Sequence, residues 1–452
     1  MHRSILIYGF MTAAFFASCK KFTEIAPPPN GVVTAEAFDN DASANASVAG
    51  VYVTLGGTNF GSGYTTAYLG MSADELNGIN PSSSATQLMT NSAAVNNADV
   101  LGEWTDAYKT IAQANACLVG LAGAGSLVSD SAKKQLIAES KFIRAYCYFY
   151  LVNLFGDVPL VTDNNWQQQA SMTRTPAAQV NGQILQDLQG AQDSLPPTYS
   201  SGLVIRATQW AAAALLAREY LYQRDWVSAE AQATNVIGNS GASLATNLNN
   251  VFLIGSPEAI WQMQPPSYYD NTVEGGLFFA FGEPFYQVLN GLLGDFETGD
   301  QRLVDWMDST SYNGVTVYYP YKYKANTYNP PATEYYMMLR LAEQYLIRAE
   351  ARAEQNNVSG AVADLNLIRG RAGLSGLSVN MTQAQCLLAV EQERRVEFFC
   401  EWGHRWLDLV RTGRANTLLP ALKPAWTATD TLYPIPSSEI LLDAHLTQNN
   451  GY

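Results

Sequence analysis

Side chains that could perform catalysis are scarce in this sequence. Three histidines are present, and one of them, His404, stands between Trp402 and Trp406 in a segment rich in Glu and Arg. The GxSxG, HExxH and GxxxxGKS/T patterns of serine hydrolases, zinc proteases and phosphate-binding loops do not occur. Among 40 acidic residues a glycosidase pair, with carboxyl groups about 5 to 9.5 Å apart, is neither shown nor excluded. We expect a protein that is not an enzyme, with a surface hydrolase as an alternative.

The cysteines show no metal-site spacing. Cys117, Cys147, Cys386 and Cys400 form neither a CxxC motif nor a Cys/His cluster, so we expect neither zinc nor any other cofactor. Cys386 and Cys400 are fourteen residues apart on what reads as one helix, which places them roughly 21 Å apart and beyond disulfide reach. We predict that all four cysteines pack in the core, and a Cys117–Cys147 bridge remains an alternative.

An aromatic-rich segment offers chemistry of another kind. Between residues 261 and 336, 18 of 76 residues are Phe, Trp or Tyr, about 24% against 11% for the whole chain. Sugar rings present apolar C–H faces on which exposed aromatic rings can stack, while Asn and Asp bind the hydroxyl groups. The candidate ligand-binding residues are Tyr268, Tyr269, Asp270, Asn271, Trp306, Tyr312 and Asn313. For any single aromatic residue, packing inside the lobe is the alternative.

Helices must position these residues. Apolar residues recur at helical spacing over 101–123, 131–155, 176–195, 205–222, 225–238, 339–356, 359–372 and 383–412. The fold class is therefore mainly α. The aromatic lobe at about 261–336 lacks a helical period, and the stretch 57–100, with Tyr64 and Tyr68 embedded, is similarly irregular. We predict that both are ordered surface lobes, carrying a few short strands, that rest on the helices.

Two pairs of predicted helices share one design. In each pair two alanines are twelve residues apart and an aliphatic residue follows after seven more: Ala217, Ala229 and Val236 in one copy, and Ala349, Ala361 and Ile368 in the other. Turns at 223–225 and 355–357 fall at equivalent places. This predicts a tetratricopeptide-like stack, an α-α superhelix, with helix pairs at about 101–155, 205–238, 339–372 and 383–412. An Ala-rich bundle without true repeats is the alternative.

Composition excludes two classes of partner. The formal net charge is −14, from 26 basic and 40 acidic residues, and no basic patch is concentrated enough to attract a phosphate backbone, so nucleic acid is not expected. No apolar stretch reaches the roughly 20 residues that span a bilayer.

The N-terminus has the pattern of a lipoprotein leader. A short basic start precedes an apolar run from Ile5 to Phe16 and the small residues Ala17-Ser18, and Cys19 follows. We predict a signal peptide over 1–18, lipidation of Cys19, a lipidated tether over 19–35 and one domain over 36–452. A core cysteine that happens to follow an apolar helix is the alternative.

Five blocks of sequence carry a family resemblance. They are Ala17-Ser18-Cys19 before Lys20-Lys21; Trp104, Tyr108, Ile111 and Asn115; Arg144-Ala145-Tyr146 with Phe155-Gly156-Asp157-Val158-Pro159-Leu160; Glu393-Arg394-Arg395 with Glu397, Glu401, Gly403, Arg405 and Asp408-Leu409-Val410-Arg411; and Tyr433-Pro434-Ile435-Pro436 with Glu439-Ile440 and the tail 446–452. Together they resemble the SusD/RagB family of outer-membrane glycan-binding lipoproteins of Bacteroidetes. Asp443-Ala444-His445 and Asn450 depart from the family pattern, although only in turns of the tail.

The resemblance implies a non-enzymatic lipoprotein of the outer membrane, facing the exterior. Such a protein captures an oligosaccharide and delivers it to a SusC-like TonB-dependent transporter. Lys20-Lys21 is not the acidic run often linked to surface export in this phylum, so outward orientation rests on the resemblance alone. Two alternatives differ in the partner, namely a tetratricopeptide-type protein-interaction scaffold and a binder of a non-sugar nutrient such as peptide.

Overall fold

The computed structural model describes residues 36–57, 59–123, 125–199, 202–266, 270–280, 282–327 and 330–452, and these residues are mainly helical. The α-helices are α1 Asp41–Gly56, α2 Gly63–Ser72, α3 Ser83–Thr90, α4 Ala98–Ala122, α5 Asp130–Phe155, α6 Trp166–Gln169, α7 Ala177–Gln192, α8 Gln209–Tyr222, α9 Trp226–Asn239, α10 Glu274–Leu277, α11 Asn290–Asp295, α12 Gln301–Asp305, α13 Leu341–Glu354, α14 Val358–Arg371, α15 Gln383–Glu397, α16 His404–Arg411, α17 Ala415–Leu418 and α18 Ser437–Leu442. The predicted fold class is confirmed.

The strands are short and pair only in twos within the described part of the chain. They are β1 Leu76–Gly78, β2 Ala259–Met263, β3 Phe279–Ala280, β4 Glu283–Pro284, β5 Tyr286–Val288, β6 Met307–Tyr312, β7 Val315–Pro320 and β8 Tyr336–Arg340. The antiparallel pairs are β1 with β5, β2 with β8, β3 with β4, and β6 with β7. Since β1 lies in the stretch 57–100 and β5 in the aromatic lobe, their pairing joins the two segments.

The two helix pairs predicted from the alanine spacing form as α8–α9 and α13–α14. All six residues of the pattern are fully buried, and the small side chains of Ala217 and Ala229 share one apolar cluster with Ala351 of α13. The connecting turns are equivalent, because Arg224 and Asn356 both adopt a left-handed backbone, with φ of 59° and 62°. The local chain therefore repeats its geometry as well as its spacing.

Helix α5 is buried along most of its length and packs between α4 and α7. Its Arg144 donates two hydrogen bonds of 2.8 Å to Asp187 of α7 and one of 2.7 Å to Asn115 of α4. One buried guanidinium thus ties three helices together. Asn115 and Arg144, which belong to the sequence blocks described above, therefore have a structural role.

The segment 383–412 forms two helices, as predicted for a helix pair, and Cys386 and Cys400 therefore do not share one helix. Helix α15 ends at Glu397 and α16 begins at His404, and between them Cys400, Trp402 and Gly403 have φ of 48°, 47° and 70°. Left-handed backbone at Cys and Trp is costly, and the tertiary contacts of this buried turn maintain it. A Cβ at Gly403 would lie 2.2 Å from a side-chain carbon of Leu69 on α2, so the turn fits α2 closely.

The break determines which ion pairs form in this segment. Asp408 and Arg411 pair at 2.8 Å as the spacing predicts. Glu401 does not pair with Arg405, since it accepts hydrogen bonds of 2.9 Å from Arg340 on β8, whereas Arg405 donates at 2.8 Å to Asp74, just beyond α2. Glu401 and Arg405 are buried, and their ion pairs join elements that are distant in sequence.

All four described cysteines, Cys117, Cys147, Cys386 and Cys400, are free and buried. The packing role is confirmed, and the alternative Cys117–Cys147 bridge is absent. Cys19 lies outside the described residues, as do the predicted leader and tether. Within the described chain, no helix combines the length and apolar character that crossing a bilayer requires.

Candidate functional site

A cavity of about 530 Å³ opens where the stretch 57–100 meets the aromatic lobe. The first segment contributes Tyr64, Tyr68, Gly78, Asn80, Pro81, Ser82, Ala85 and Asp99, and the lobe contributes Val273, Gly276, Leu277, Phe285, Tyr286, Asn326 and Thr327. Its volume is within the range of about 300 to 1,000 Å³ that is usual for small-molecule sites. The stretch 57–100 is more regular than we predicted, because α2, β1 and α3 lie within it.

Aromatic rings form much of the cavity wall. Tyr64 and Tyr68 are four residues apart on α2 and therefore share one face of the helix; their ring centroids are 6.0 Å apart and their planes differ by 38°. Tyr286 on β5 packs edge-to-face against Phe278, with centroids 5.7 Å apart. Phe285 is 48% exposed and lies among the lining residues. These rings offer apolar faces beside phenolic hydroxyl groups.

Polar groups complete the lining. Asn80, Ser82, Asn326 and Thr327 supply amides and hydroxyls, and Asp99 in the first turn of α4 supplies the carboxylate. Burial raises the pKa of Asp99, although the neighbouring Tyr68 hydroxyl opposes the shift. Burial also raises the pKa of Tyr286 to about 12, so its hydroxyl is neutral and can donate at ordinary pH.

A second acid lies behind Asp99. Glu103, one turn further along α4, is buried with its Oε1 atom 2.9 Å from the Thr65 hydroxyl. Burial raises the pKa of Glu103 to about 8, and the charges of Asp106 and Asp99 add to the shift. Thr65 follows Tyr64 directly, so this contact fixes the helix turn that presents the ring.

Charged side chains of α15 and α16 hold the C-terminal end of α2 in place. Asp74 accepts hydrogen bonds from Arg405 at 2.8 and 3.0 Å and from Arg395 at 2.5 Å. Burial alone would raise the pKa of Asp74, but the hydrogen bond from Arg405 and the charge of Arg395 bring it down to about 2. At its N-terminus α2 approaches α10 closely, because a Cβ at Gly63 would lie 2.6 Å from Glu274 Cδ.

The predicted site residues do not all reach this cavity. Tyr268 and Tyr269 lie outside the described residues. Trp306 is fully buried, its indole Nε1 donates at 3.0 Å to the Leu248 carbonyl, and Lys322 Nζ lies 4.8 Å from the ring centroid. The expectation that Trp306 presents a face to a ligand was wrong, since the core of the lobe covers the whole ring.

Asn271 is also a buried scaffold residue. Its Oδ1 accepts hydrogen bonds from the backbone N–H of Thr333 at 2.7 Å and of Glu334 at 3.1 Å. The side chain thereby fastens the start of β8 to the lobe, and the expected contact of Asn271 with a ligand is corrected to this structural role. Asp270, just before it, is half-buried and does not line the cavity.

Tyr312 and Asn313 lie at the tip of the β6–β7 hairpin. Asn313 and Gly314 have φ of 50° and 79°, as a tight two-residue hairpin turn requires, and Asn313 is exposed. The Tyr312 hydroxyl accepts a hydrogen bond of 3.4 Å from Asn80 Nδ2. Since Asn80 lines the cavity, the hairpin tip lies next to it, and Tyr312 is the predicted site residue with a direct link to it.

The residues that do line the cavity were partly visible in the sequence. Tyr64 and Tyr68 stand four apart, a spacing that indicates one helix face, but the Gly, Ser and Thr around them obscured the helix. Tyr286 and Phe285 carry no sequence signal that separates them from the other aromatics of the lobe. Their position depends on the β1–β5 pairing, which joins segments about 210 residues apart in the chain.

A second cleft, of about 430 Å³, lies between α13, α15 and α16 and is lined by charged side chains. Most of these charges pair with one another: Arg394 donates to Asp408 at 2.7 Å, and Arg411 donates to Glu350 at 2.5 Å, although Arg394 Nη1 is buried without a hydrogen-bond partner. His404 nearby is buried, and burial together with surrounding arginines lowers the pKa of its imidazole well below the usual value. The cleft therefore reads as part of the scaffold.

The cavity of aromatic and small polar groups is suited to binding. Its described lining holds one carboxylate, that of Asp99, so a pair of carboxyl groups for acid and base catalysis is not present there. Among the described residues no group of three His, Cys, Asp or Glu side chains is arranged to hold a metal ion. The aromatic side chains of the lining can stack on the apolar ring faces of a ligand, and its polar side chains can exchange hydrogen bonds with hydroxyl groups.

Two family models match the chain. One, described as "Starch-binding associating with outer membrane", matches residues 33–221, and the model of the SusD family matches residues 301–452. The SusD-like protein P25 of Formosa agariphila is 26% identical in an alignment that covers 100% of this chain and 99% of that protein.

Solved structures share the fold. A SusD superfamily protein from Bacteroides vulgatus superposes with a TM-score of 0.81 at 20% identity, covering 92% of this chain and 100% of that one. A laminarin-binding SusD-like protein superposes with a TM-score of 0.79 at 24% identity, again covering 92% of this chain and 100% of the other. At these identities the likeness establishes the fold.

Proposed function

This chain belongs to the SusD/RagB family, and on that premise we propose that it is a non-enzymatic glycan-binding lipoprotein of the cell surface. It captures an oligosaccharide in the cavity between α2 and the aromatic lobe. It then delivers the oligosaccharide to a SusC-like TonB-dependent transporter in the outer membrane.

The observation that carries the proposal is the composition of the cavity. Tyr64, Tyr68 and Tyr286 supply ring faces, and Asn80, Ser82 and Asp99 supply hydrogen-bonding groups around them. A sugar ring needs both, since its C–H faces are apolar and its edge is a ring of hydroxyls. The matched family model is described as starch-binding and one structural neighbour as laminarin-binding, which supports a glycan as the ligand.

Binding without turnover fits the same geometry. Hydrolysis of a glycosidic bond requires two carboxyl groups on either side of it, and Asp99 has no such partner across the described lining. Glu103 lies behind Asp99 on the same helix and is buried. A glycan held here meets one carboxylate and several neutral donors, so it is oriented and released intact.

The proposed lipid anchor accounts for the position of the domain at the membrane surface. Acylation of Cys19 would hold the domain at the membrane through the segment 19–35, and a helix able to cross a bilayer is not found among the described residues. Because a transporter partner would supply further contacts and raise the effective concentration, modest affinity at the cavity is sufficient.

Isothermal titration of the mature protein against a panel of soluble polysaccharides tests the proposal. We expect at least one glycan to bind with a micromolar to millimolar dissociation constant and to be recovered without new reducing ends. Tyr64→Ala should abolish the heat of binding while the thermal unfolding midpoint is preserved. A flat response across the panel, or release of reducing ends from the bound glycan, would contradict the proposal.

A further inference from the structure

None of the described residues that line the cavity carries a basic side chain. These fifteen described residues include one acid, Asp99, and lack Lys, Arg and His altogether. The basic residue nearest in sequence, Lys324, precedes Asn326 by two positions, and its ammonium group is bonded to Asn249 outside the cavity. An anionic ligand would therefore enter without a counter-charge from these residues.

Acidic groups lie beneath the same wall. Asp99 and Asp106 both lie in the first turns of α4, and the Asp106 carboxylate accepts a hydrogen bond of 3.0 Å from the backbone N–H of Asn59. The chain as a whole carries a formal charge of −14. Like charges that approach in a partly dry site repel more strongly than in bulk water, because the effective dielectric constant is lower.

We infer that the cavity selects uncharged glycans and that Asp99 is the residue that discriminates against acidic ones. This inference rests on the proposed function and narrows it to a substrate class. A uronate or sulfate ester placed in the cavity would face the Asp99 carboxylate, whereas a neutral sugar can donate hydroxyl hydrogen bonds to it. Hydrogen bonds to a charged acceptor are stronger than those between neutral groups. The Asp99 carboxylate therefore attracts the hydroxyl groups of a neutral sugar and repels the charge of an acidic one.

The test compares a neutral polysaccharide with its own charged derivative. The mature protein is titrated at about 0.02 M salt, where screening is weak, with laminarin, soluble starch and xyloglucan, and then with the carboxymethylated form of each. We expect binding among the neutral polymers, with affinity lowered about tenfold or more by carboxymethylation. Polygalacturonate, alginate and heparin should not bind.

Asp99→Asn removes the charge and keeps the shape. In this variant we expect the penalty for carboxymethylation to shrink to about threefold or less. The matched control is Asp106→Asn, which removes the same charge from the same helix outside the lining and should leave the penalty within about twofold of the wild type. The comparison of polymers with the wild-type protein stands even if a variant fails to fold.

Three results would overturn the inference. The first is an acidic glycan that binds as tightly as the neutral polymers and depends on Tyr64. The second is a wild-type protein that shows no loss of affinity on carboxymethylation of the polymer. The third is a loss of affinity on carboxymethylation that is unchanged in Asp99→Asn. Each of these leaves glycan binding itself intact. If no polymer of either panel binds, the proposed function fails, and the inference fails with it.

Discussion

At the residue scale, exposure separates aromatic side chains that can meet a ligand from those that hold the lobe together. Tyr64 is half-buried in the cavity wall, whereas Trp306 is sealed in the core between the Leu248 carbonyl and Lys322. Both belong to the residue type that stacks on sugars. Composition alone therefore indicates the kind of site, and the exposed ring faces determine which residues form it.

Replacing Tyr64 by Ala removes a ring face from the cavity. We predict a loss of glycan affinity of at least tenfold, because burial of a ring against a sugar face contributes at least about 1.4 kcal/mol. The control is Tyr318→Ala, which removes a 38% exposed tyrosine of β7 that does not line the cavity. Titration with the same glycan checks both variants, and equal losses in the two would argue against the cavity.

Glu103 gives the site a pH dependence that can be measured as stability. Its pKa is about 8 in the folded protein, because of burial, and its ordinary value is 4.5. The folded state thus binds more protons than the unfolded state between these values, and the contribution of Glu103 to stability falls as pH rises from about 4.5 to 8.

Glu103→Gln should remove this dependence. We predict that the variant is more stable than the wild type at pH 8.5 and nearly equal to it at pH 4.5, where the wild-type carboxyl is neutral. Urea unfolding at the two pH values gives the difference. A variant that is less stable by the same amount at both would show that Glu103 is not protonated in the folded protein.

At the element scale, helix α15 joins the scaffold to the lobe through buried charges. Glu397 accepts hydrogen bonds from Arg340 on β8 at 2.5 Å and from Arg302 on α12 at 3.0 Å, and it also pairs with Arg371 of α14. These arginines hold the pKa of Glu397 well below its usual value even though burial opposes the shift. The network is shared among four elements.

Glu397→Gln should destabilise the fold strongly. Removing the negative charge leaves buried guanidinium groups without their partner, which costs about 3 to 5 kcal/mol. Glu391→Gln is the control, since its side chain is 26% exposed and pairs with Arg414 at 3.1 Å, and we expect a loss of about 1 kcal/mol or less there. Chemical denaturation measures both, and similar losses would contradict a central role for Glu397.

Most helices were predictable because their periodicity is local. The pairs α8–α9 and α13–α14 followed from the alanine spacing, and even the left-handed turn residues Arg224 and Asn356 sit where the repeat places them. A helix pair was predicted over 383–412, but the position of the break between α15 and α16 was not predictable, since it depends on left-handed Cys400 and Trp402. These residues do not favour such backbone, and contacts distant in sequence stabilise it.

The sequence pointed to the aromatic lobe as a candidate binding segment, but it did not identify which residues line the cavity. Both unusual stretches, 57–100 and 261–336, line the cavity. Within the lobe, Asn271 and Trp306 turned inward and Tyr286 turned to the cavity. Tyr286 reaches the cavity because β5 pairs with β1, a long-range contact that has no signature in local sequence.

At the scale of the whole molecule, the proposed lipidation of Cys19 would hold the domain at the membrane. We predict that Cys19→Ala yields a protein that lacks acyl groups and enters the aqueous phase in detergent partition, whereas the wild type enters the detergent phase. Metabolic labelling with an alkyne fatty acid followed by partition measures both. Retention of the label by Cys19→Ala would refute lipidation at this position.

We propose that one cavity, formed where α2 meets the aromatic lobe, holds an intact glycan. A crystal structure of the protein with whichever polysaccharide fragment binds tests this most directly. We predict an unbroken sugar chain with a ring against Tyr64 or Tyr286 and a hydroxyl group within hydrogen-bond distance of Asp99. A glycan bound in the charged cleft between α13, α15 and α16, or cleaved in the cavity, would contradict this proposal.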